Sequence, residues 1–198
     1  NAAPSGAAAP VLPLNSSSIN SIVVIGGHAD VGVMSGGGSG AAIPRDGSAV
    51  PCTGTGNPDP MKNGCANWYK SSPLSAIKAK APNATVTYLD GTDATAASNA
   101  AANADVAIVF ATQWQIEDRD LPSLSLPDAT VDPYNQSYDQ NALIASVAAK
   151  AKKMVVVLEN GTAVTMPWVN NVHSVLEAWY PGVRGGPAIA NVLFGSVN

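Results

Sequence analysis

Five short apolar runs, rich in β-branched residues and continuous rather than alternating, constrain this chain most. They are Ser21–Ile25, Thr85–Leu89, Val106–Ala111, Met154–Leu158 and Ser174–Tyr180. A strand with one wet face alternates apolar and polar residues, whereas a strand covered on both faces does not. Helical patterns lie between the runs. Pro73–Ala81 opens on Ser71-Ser72-Pro73, a cap followed by proline in the first turn. Thr92–Asn103 is Ala-rich with Asp93 near its start. Asp139–Lys152 sets Leu143, Ile144, Val147, Ala148 and Ala151 on one face. It gathers Lys150, Lys152 and Lys153 at its carboxyl end, where the helix dipole favours cations. Pro187–Phe194 is a last short helix behind Gly185-Gly186. Strand–helix alternation of this kind predicts an α/β fold, a three-layer α/β/α sandwich with a mostly parallel sheet, flavodoxin-like in its layering. Residues 1–20 read as a linker or remnant and residues 21–198 as the domain.

Composition narrows the partners. The net charge is only -4 and no basic run is present, which argues against nucleic acid. The longest apolar run, Val106–Ala111, is far too short to span a bilayer. Asn1–Pro13 is Ala/Pro-rich but has no basic n-region, so the chain reads as a mature or excised piece. Cys52 and Cys65 stand alone in a segment dense in Gly, Pro and Asn, with no His or Cys neighbours for a metal site. A disulfide between them would add roughly 3 kcal/mol by loop closure and would imply a secreted or periplasmic location. Four matches to the glycosylation sequon, at Asn15, Asn83, Asn135 and Asn160, permit export without requiring it.

Chemistry-bearing residues concentrate after the third run. Gln113, Trp114, Glu117, Asp118, Arg119 and Asp120 fall within eight residues of a chain that is only 12% charged. A loop leaving the carboxyl end of a parallel strand is where α/β proteins place their sites. An aromatic ring, an amide, a guanidinium and carboxylates together suit a carbohydrate: a face for the ring, partners for hydroxyls, and a proton donor. Glu117 is the sharpest candidate, against the alternative of a solvated loop carboxylate. His28 and Asp30, after the first run, are either a structural hydrogen-bonded pair or part of a ligand site. Trp179 and Tyr180 either line a site or pack the core. Ser35–Gly40 lacks the lysine and hydroxyl residue of a phosphate loop, so it reads as a stretch where backbone approaches a neighbouring surface or ligand. No metal or cofactor is implied.

Ile22–Asp30 with Ser35–Gly40, Ala104–Pro127, Val155–Glu159, Met166-Pro167-Trp168 and Val175–Asn198 together resemble the β-glucosidases of glycoside hydrolase family 3. The closing run Leu-Glu-Ala-Trp-Tyr-Pro-Gly through Val-Leu-Phe-Gly is the most specific part. The resemblance covers the family's second domain, the C-terminal α/β sandwich that follows a (β/α)8-type barrel. It implies a retaining exo-β-glycosidase, most simply a β-glucosidase acting on terminal β-linked glucose. The barrel would carry the aspartate nucleophile, and this domain would lend the glutamate acid/base. Glu117, ten residues before Pro127 of the Leu-x-Leu-Pro turn, occupies that position. Trp114, Gln113, Arg119, Asp120 and His28 are the expected substrate-binding residues. The sequence has Asp118 where many members have glycine, and an insertion at about Ala129–Tyr138. The alternative is a non-catalytic carbohydrate-binding or interaction module on the same fold. A nucleotide-binding flavodoxin-like protein is opposed by the missing phosphate motif.

Overall fold

The computed structural model describes residues 11–40, 70–117, 120–128 and 138–198. Among them, five strands form one parallel sheet: β1 Ser21–Ile25, β2 Thr85–Leu89, β3 Val106–Gln113, β4 Met154–Asn160 and β5 Ser174–Glu177. Their spatial order is β2-β1-β3-β4-β5. Helices α1 Pro73–Lys80 and α4 Gly185–Leu193 pack together on one face, and α2 Ala94–Asn103 and α3 Gln140–Ala148 on the other. The chain is therefore the doubly wound three-layer sandwich that its runs predict.

The two central strands explain the layering. Every residue of β3 and β4 is buried. Val109, Ala111, Val156 and Leu158 meet Leu143, Ile144 and Val147 of α3 on one face. Ile108, Phe110, Val155 and Val157 meet Ile77 of α1 and Ile189 and Leu193 of α4 on the other. Each large aliphatic side chain so covered contributes about 1.5–3 kcal/mol. The helices start where side chains satisfy their first N–H groups. The Ser72 hydroxyl accepts from Ser75 N–H at 3.0 Å, and Asp93 and Asp139 accept from Ala96 and Ala142 N–H at 2.9 Å.

Several boundaries differ from the sequence reading, each for a local reason. Strands β3 and β4 both run two residues further, pairing Thr112 with Glu159 and Gln113 with Asn160, which carries polar side chains into the interior. Strand β5 stops at Glu177. Trp179 takes a left-handed φ of 53° and donates its N–H to Glu177 Oε1 at 2.9 Å, turning the chain off the sheet. Helix α3 ends at Ala148, because the Lys150 and Ala151 N–H groups both close onto Val147 O. Its lysines thus lie beyond the last turn, and Lys150 Nζ donates to Asn99 Oδ1 at 2.8 Å. The segment before β1, read as a linker or remnant, adds Leu14 and Ile19 to the α1–α4 core. Leu14 N–H donates to Leu193 O at 2.8 Å. Cys52, Cys65 and Arg119 fall outside the described residues. No helix among those described is long and apolar enough to cross a membrane.

One offset positions the site. Strand β1 ends opposite Val109, but β3 continues along β4 to Gln113. A notch opens beside the last turn of β3, where the chain leaves β1 and β3 in different directions. Gly26 makes the exit from β1 with φ of 105°, so close to the Phe110 carbonyl that a β-carbon would overlap it. Gly26→Ala is expected to lower stability by roughly 2–4 kcal/mol, from backbone strain plus overlap. Denaturant unfolding of the domain measures it.

Candidate active site

Two segments meet at the notch. The first is the glycine-rich stretch after β1, and the second is the loop Trp114–Glu117 leaving β3. Gly37 N–H donates to Gln115 O at 2.7 Å. A β-carbon on Gly37 would come within 2.7 Å of the Trp114 ring, and one on Gly36 within 2.9 Å of Gln115 O. Gly38 turns with φ of 73° directly over the Glu117 side chain. Only glycine permits that turn and that approach together. The next residue then donates its backbone N–H to Glu117 Oε2, Ser39 N to oxygen at 2.7 Å.

A third element braces the loop from β5. The Tyr180 hydroxyl donates to Gln113 O and accepts from Gln115 N–H, both at 3.0 Å, straddling Trp114. Beside these contacts an open cleft of about 650 Å³ is lined by Met34, Gly36, Gln115, Glu117, Asp120 and Tyr180, among others. Glu117 presents an exposed carboxylate there. Hydrogen bonds from the Ser39 side chain and N–H hold its carboxyl below the usual range, so it is ionised at neutral pH in this domain.

The structure thus brings Glu117 and Asp120 onto one cleft. It places the other expected contacts differently. Trp114 is 2% exposed and lies beneath the glycine stretch, a floor for the loop rather than a free face for a sugar ring. Gln113 is fully buried, because β3 extends through it, and its amide atoms have no hydrogen-bond partner among the described residues. His28 does not line the cleft. It sits at φ of 70°, and burial pulls its pKa down to about 4, so it is neutral at pH 7. Asp30 accepts from the Tyr88 hydroxyl at 3.3 Å. Of the aromatics left open, Tyr180 lines the cleft, while Trp179 is exposed and is not among its lining residues.

Sequence reasoning passed over Glu159. It is the penultimate residue of β4, fully buried opposite Thr112, and neither carboxyl oxygen has a hydrogen-bond partner among the described residues. Burial pushes its pKa up to about 8, so the neutral acid dominates at pH 7. The available signal was a carboxylate inside the apolar run Met-Val-Val-Val-Leu-Glu. Carboxylates are almost never fully buried without a partner.

An open α/β sandwich with a carboxylate presented at the strand-order switch belongs to a class of domains that bind ligands at that edge. Residues 8–198 match the model of the glycosyl hydrolase family 3 C-terminal domain, and the chain belongs to that family. It is 43% identical over 105 residues to thermostable beta-glucosidase B of Acetivibrio thermocellus, an alignment covering 52% of this chain and 13% of that protein. It is 38% identical over 105 residues to an exo-alpha-(1->6)-L-arabinopyranosidase of Bifidobacterium longum, covering 50% and 12%. The fold matches DesR, a beta-glucosidase from Streptomyces venezuelae solved in complex with D-glucose, with a TM-score of 0.72 at 22% identity, over 94% of this chain and 34% of that one. These alignments span about an eighth of the length of the curated relatives.

Two outcomes follow from this geometry. Tyr180→Phe removes one hydroxyl that serves two backbone groups, and is expected to cost about 1–3 kcal/mol of stability. Thermal unfolding measures the loss. Glu159 has a folded pKa raised from 4.5 to about 8. Its contribution to stability is therefore full below about pH 4.5 and is lost as pH rises through about 8, by at most about 1.4 kcal/mol per pH unit. Glu159→Gln should abolish that slope, which the difference between wild-type and variant unfolding curves from pH 5 to 9 isolates.

Proposed function

We propose that this chain is the acid/base-bearing domain of a retaining exo-β-glycosidase, a β-glucosidase that releases terminal β-linked glucose. A (β/α)8-type barrel carrying an aspartate nucleophile completes the active site. One observation carries the reading: Glu117 is held by the Ser39 N–H on an open cleft at the carboxyl edge of the sheet. The names of the relatives support the reaction class, and the spacing of Glu117 to Pro127 supports the role.

Retaining hydrolysis needs two carboxyl groups about 5 Å apart, one attacking the anomeric carbon and one protonating the leaving oxygen. Glu117 is the proton donor in the first step. In the second step, as carboxylate, it takes a proton from the attacking water. In the domain alone it is ionised. A facing barrel excludes water and brings a second carboxylate close, and both effects raise a carboxyl pKa toward that of a general acid. Asp120 shares the cleft, and it and Asp118 are the competing carboxylates. Arg119 adjoins it in sequence as a partner for sugar hydroxyls. Trp114, Gln113 and Tyr180 shape the loop from beneath. The arabinopyranosidase among the relatives is consistent with sugar choice residing in the barrel. A secreted or periplasmic location, with Cys52 and Cys65 bridged, suits a polymer- or oligosaccharide-derived substrate.

The domain by itself should not hydrolyse an aryl β-glucoside, since it offers a proton donor without a matched nucleophile. In the enzyme complete with its barrel, Glu117→Gln should slow the first step by about 10²–10⁴ for an unactivated disaccharide, the range of general acid catalysis. Activated aryl glucosides should lose far less in that step, and azide should partly restore the second step. Near-normal disaccharide hydrolysis by Glu117→Gln, or the same signature from Asp118→Asn or Asp120→Asn alone, would overturn the assignment. Unimpaired Glu117→Gln that still binds oligosaccharide on the domain would favour the binding module.

A further inference from the structure

The loop carrying Glu117 has two roots. It leaves the sheet after β3 and rejoins the fold through the turn ending at Pro127 and helix α3. Gln140, the first residue of α3 and 1% exposed, touches both roots. Its Oε1 accepts from Thr112 N–H at 2.8 Å, and its Nε2 donates to Thr112 O and to Pro127 O, each at 2.9 Å.

The register explains why Thr112 needs this partner. Ala107 N–H points to β4, where it reaches Lys153 O. Backbone groups of successive strand residues point to opposite sides, so Thr112 points toward β1. Strand β1 has already ended opposite Val109. Thr112 N–H and C=O would be buried and unpaired, at a cost of about 1–3 kcal/mol each. The primary amide of Gln140 presents one acceptor and two donors. It pairs with Thr112 as the next strand would, and its second donor fastens the far root. Asn141 reinforces the same region: its amide donates to Ser125 Oγ at 2.9 Å and accepts from Trp168 Nε1 at 2.8 Å.

We infer that Gln140 is the positioning residue of the Glu117 loop: its side-chain amide replaces the missing strand at Thr112 and sets the span between the two roots. It does not line the cleft, and its hydrogen bonds go to backbone groups of Thr112 and Pro127 rather than to Glu117. This role rests on the proposed function for its catalytic consequence, and on the hydrogen bonds alone for its structural one.

Two measurements test it. In the domain, hydrogen exchange is followed in wild type, Gln140→Met and Gln140→Glu. Methionine keeps the length without hydrogen bonds, and glutamate retains an acceptor but loses the amide donors. Amides of Thr112 and Gln115 should exchange at least about tenfold faster in Gln140→Met, while those of β2 and α2 stay unchanged. Uniform acceleration across the domain, or none, would overturn the proposal. Should Gln140→Met fail to fold, Gln140→Glu carries the same comparison. In the complete enzyme, Gln140→Met should lower kcat for an unactivated disaccharide by up to about 10²-fold, as a misplacement of about 1 Å does. KM and activated aryl glucosides should change little. Normal disaccharide turnover by Gln140→Met, where Glu117→Gln is impaired, would refute the positioning role. If Glu117→Gln is itself unimpaired, the functional reading fails, and the exchange pattern alone decides whether Gln140 holds the loop.

Discussion

Strand β3 outruns strand β1. Their pairing ends at Ile25 and Val109, while β3 and β4 remain paired to Gln113 and Asn160. Parallel strands buried on both faces must have every backbone group satisfied. The unpaired flank of β3 therefore has to be closed by something other than a strand. The side-chain amide of Gln140 closes it at Thr112. The glycine stretch after β1 closes it over Trp114, while Tyr180 caps the opposite side of the strand end at Gln113 O and Gln115 N–H. The candidate site is the outer surface of that closure.

The loop bearing Glu117 is consequently held by backbone hydrogen bonds as well as by the buried Trp114 ring. Gly37, Ser39 and Gln115 contribute N–H or C=O groups, and Tyr180 and Gln140 contribute single polar tips. Each such bond adds only about 0.5–1.5 kcal/mol net, but a buried group left without one costs more. Precision in the loop thus comes from avoiding unpaired groups. The fold tolerates exceptions nearby. The Glu159 carboxyl, the Gln113 side-chain amide and the Thr112 hydroxyl are buried without partners among the described residues, at the same carboxyl edge.

The strands and helices were legible because their periodicity is local. The continuous runs of β1, β3 and β4 are covered on both faces as expected, whereas the edge strands β2 and β5 contain no buried residue, and Ser72, Asp93 and Asp139 each mark a helix start by a bond to the third residue on. Glu117 was singled out for a different reason, its spacing to the Leu-x-Leu-Pro turn of the family the chain resembles. Trp114 and Gln113 were expected to touch substrate because their types suit carbohydrate, and His28 because it follows a strand end. Their burial depends on how far β3 extends and on what lies over it, and neither is encoded within the loop. Gln140 gave no signal, since a glutamine at a helix start is ordinary until the register shows a strand missing beside it.

The sequence by itself determined the layers, the strand and helix sites, the family and the carboxylate at the strand edge. Each follows from short-range patterns: apolar runs, caps and motif spacing. Only the tertiary structure decided which residues face the cleft and which support it. The offset between β1 and β3, the passage of Gly36–Gly38 over Trp114 and the reach of Gln140 to Thr112 and Pro127 join residues far apart in the chain. Such contacts are set by sheet register, because sliding a strand by one residue exchanges the side chains it presents to each face.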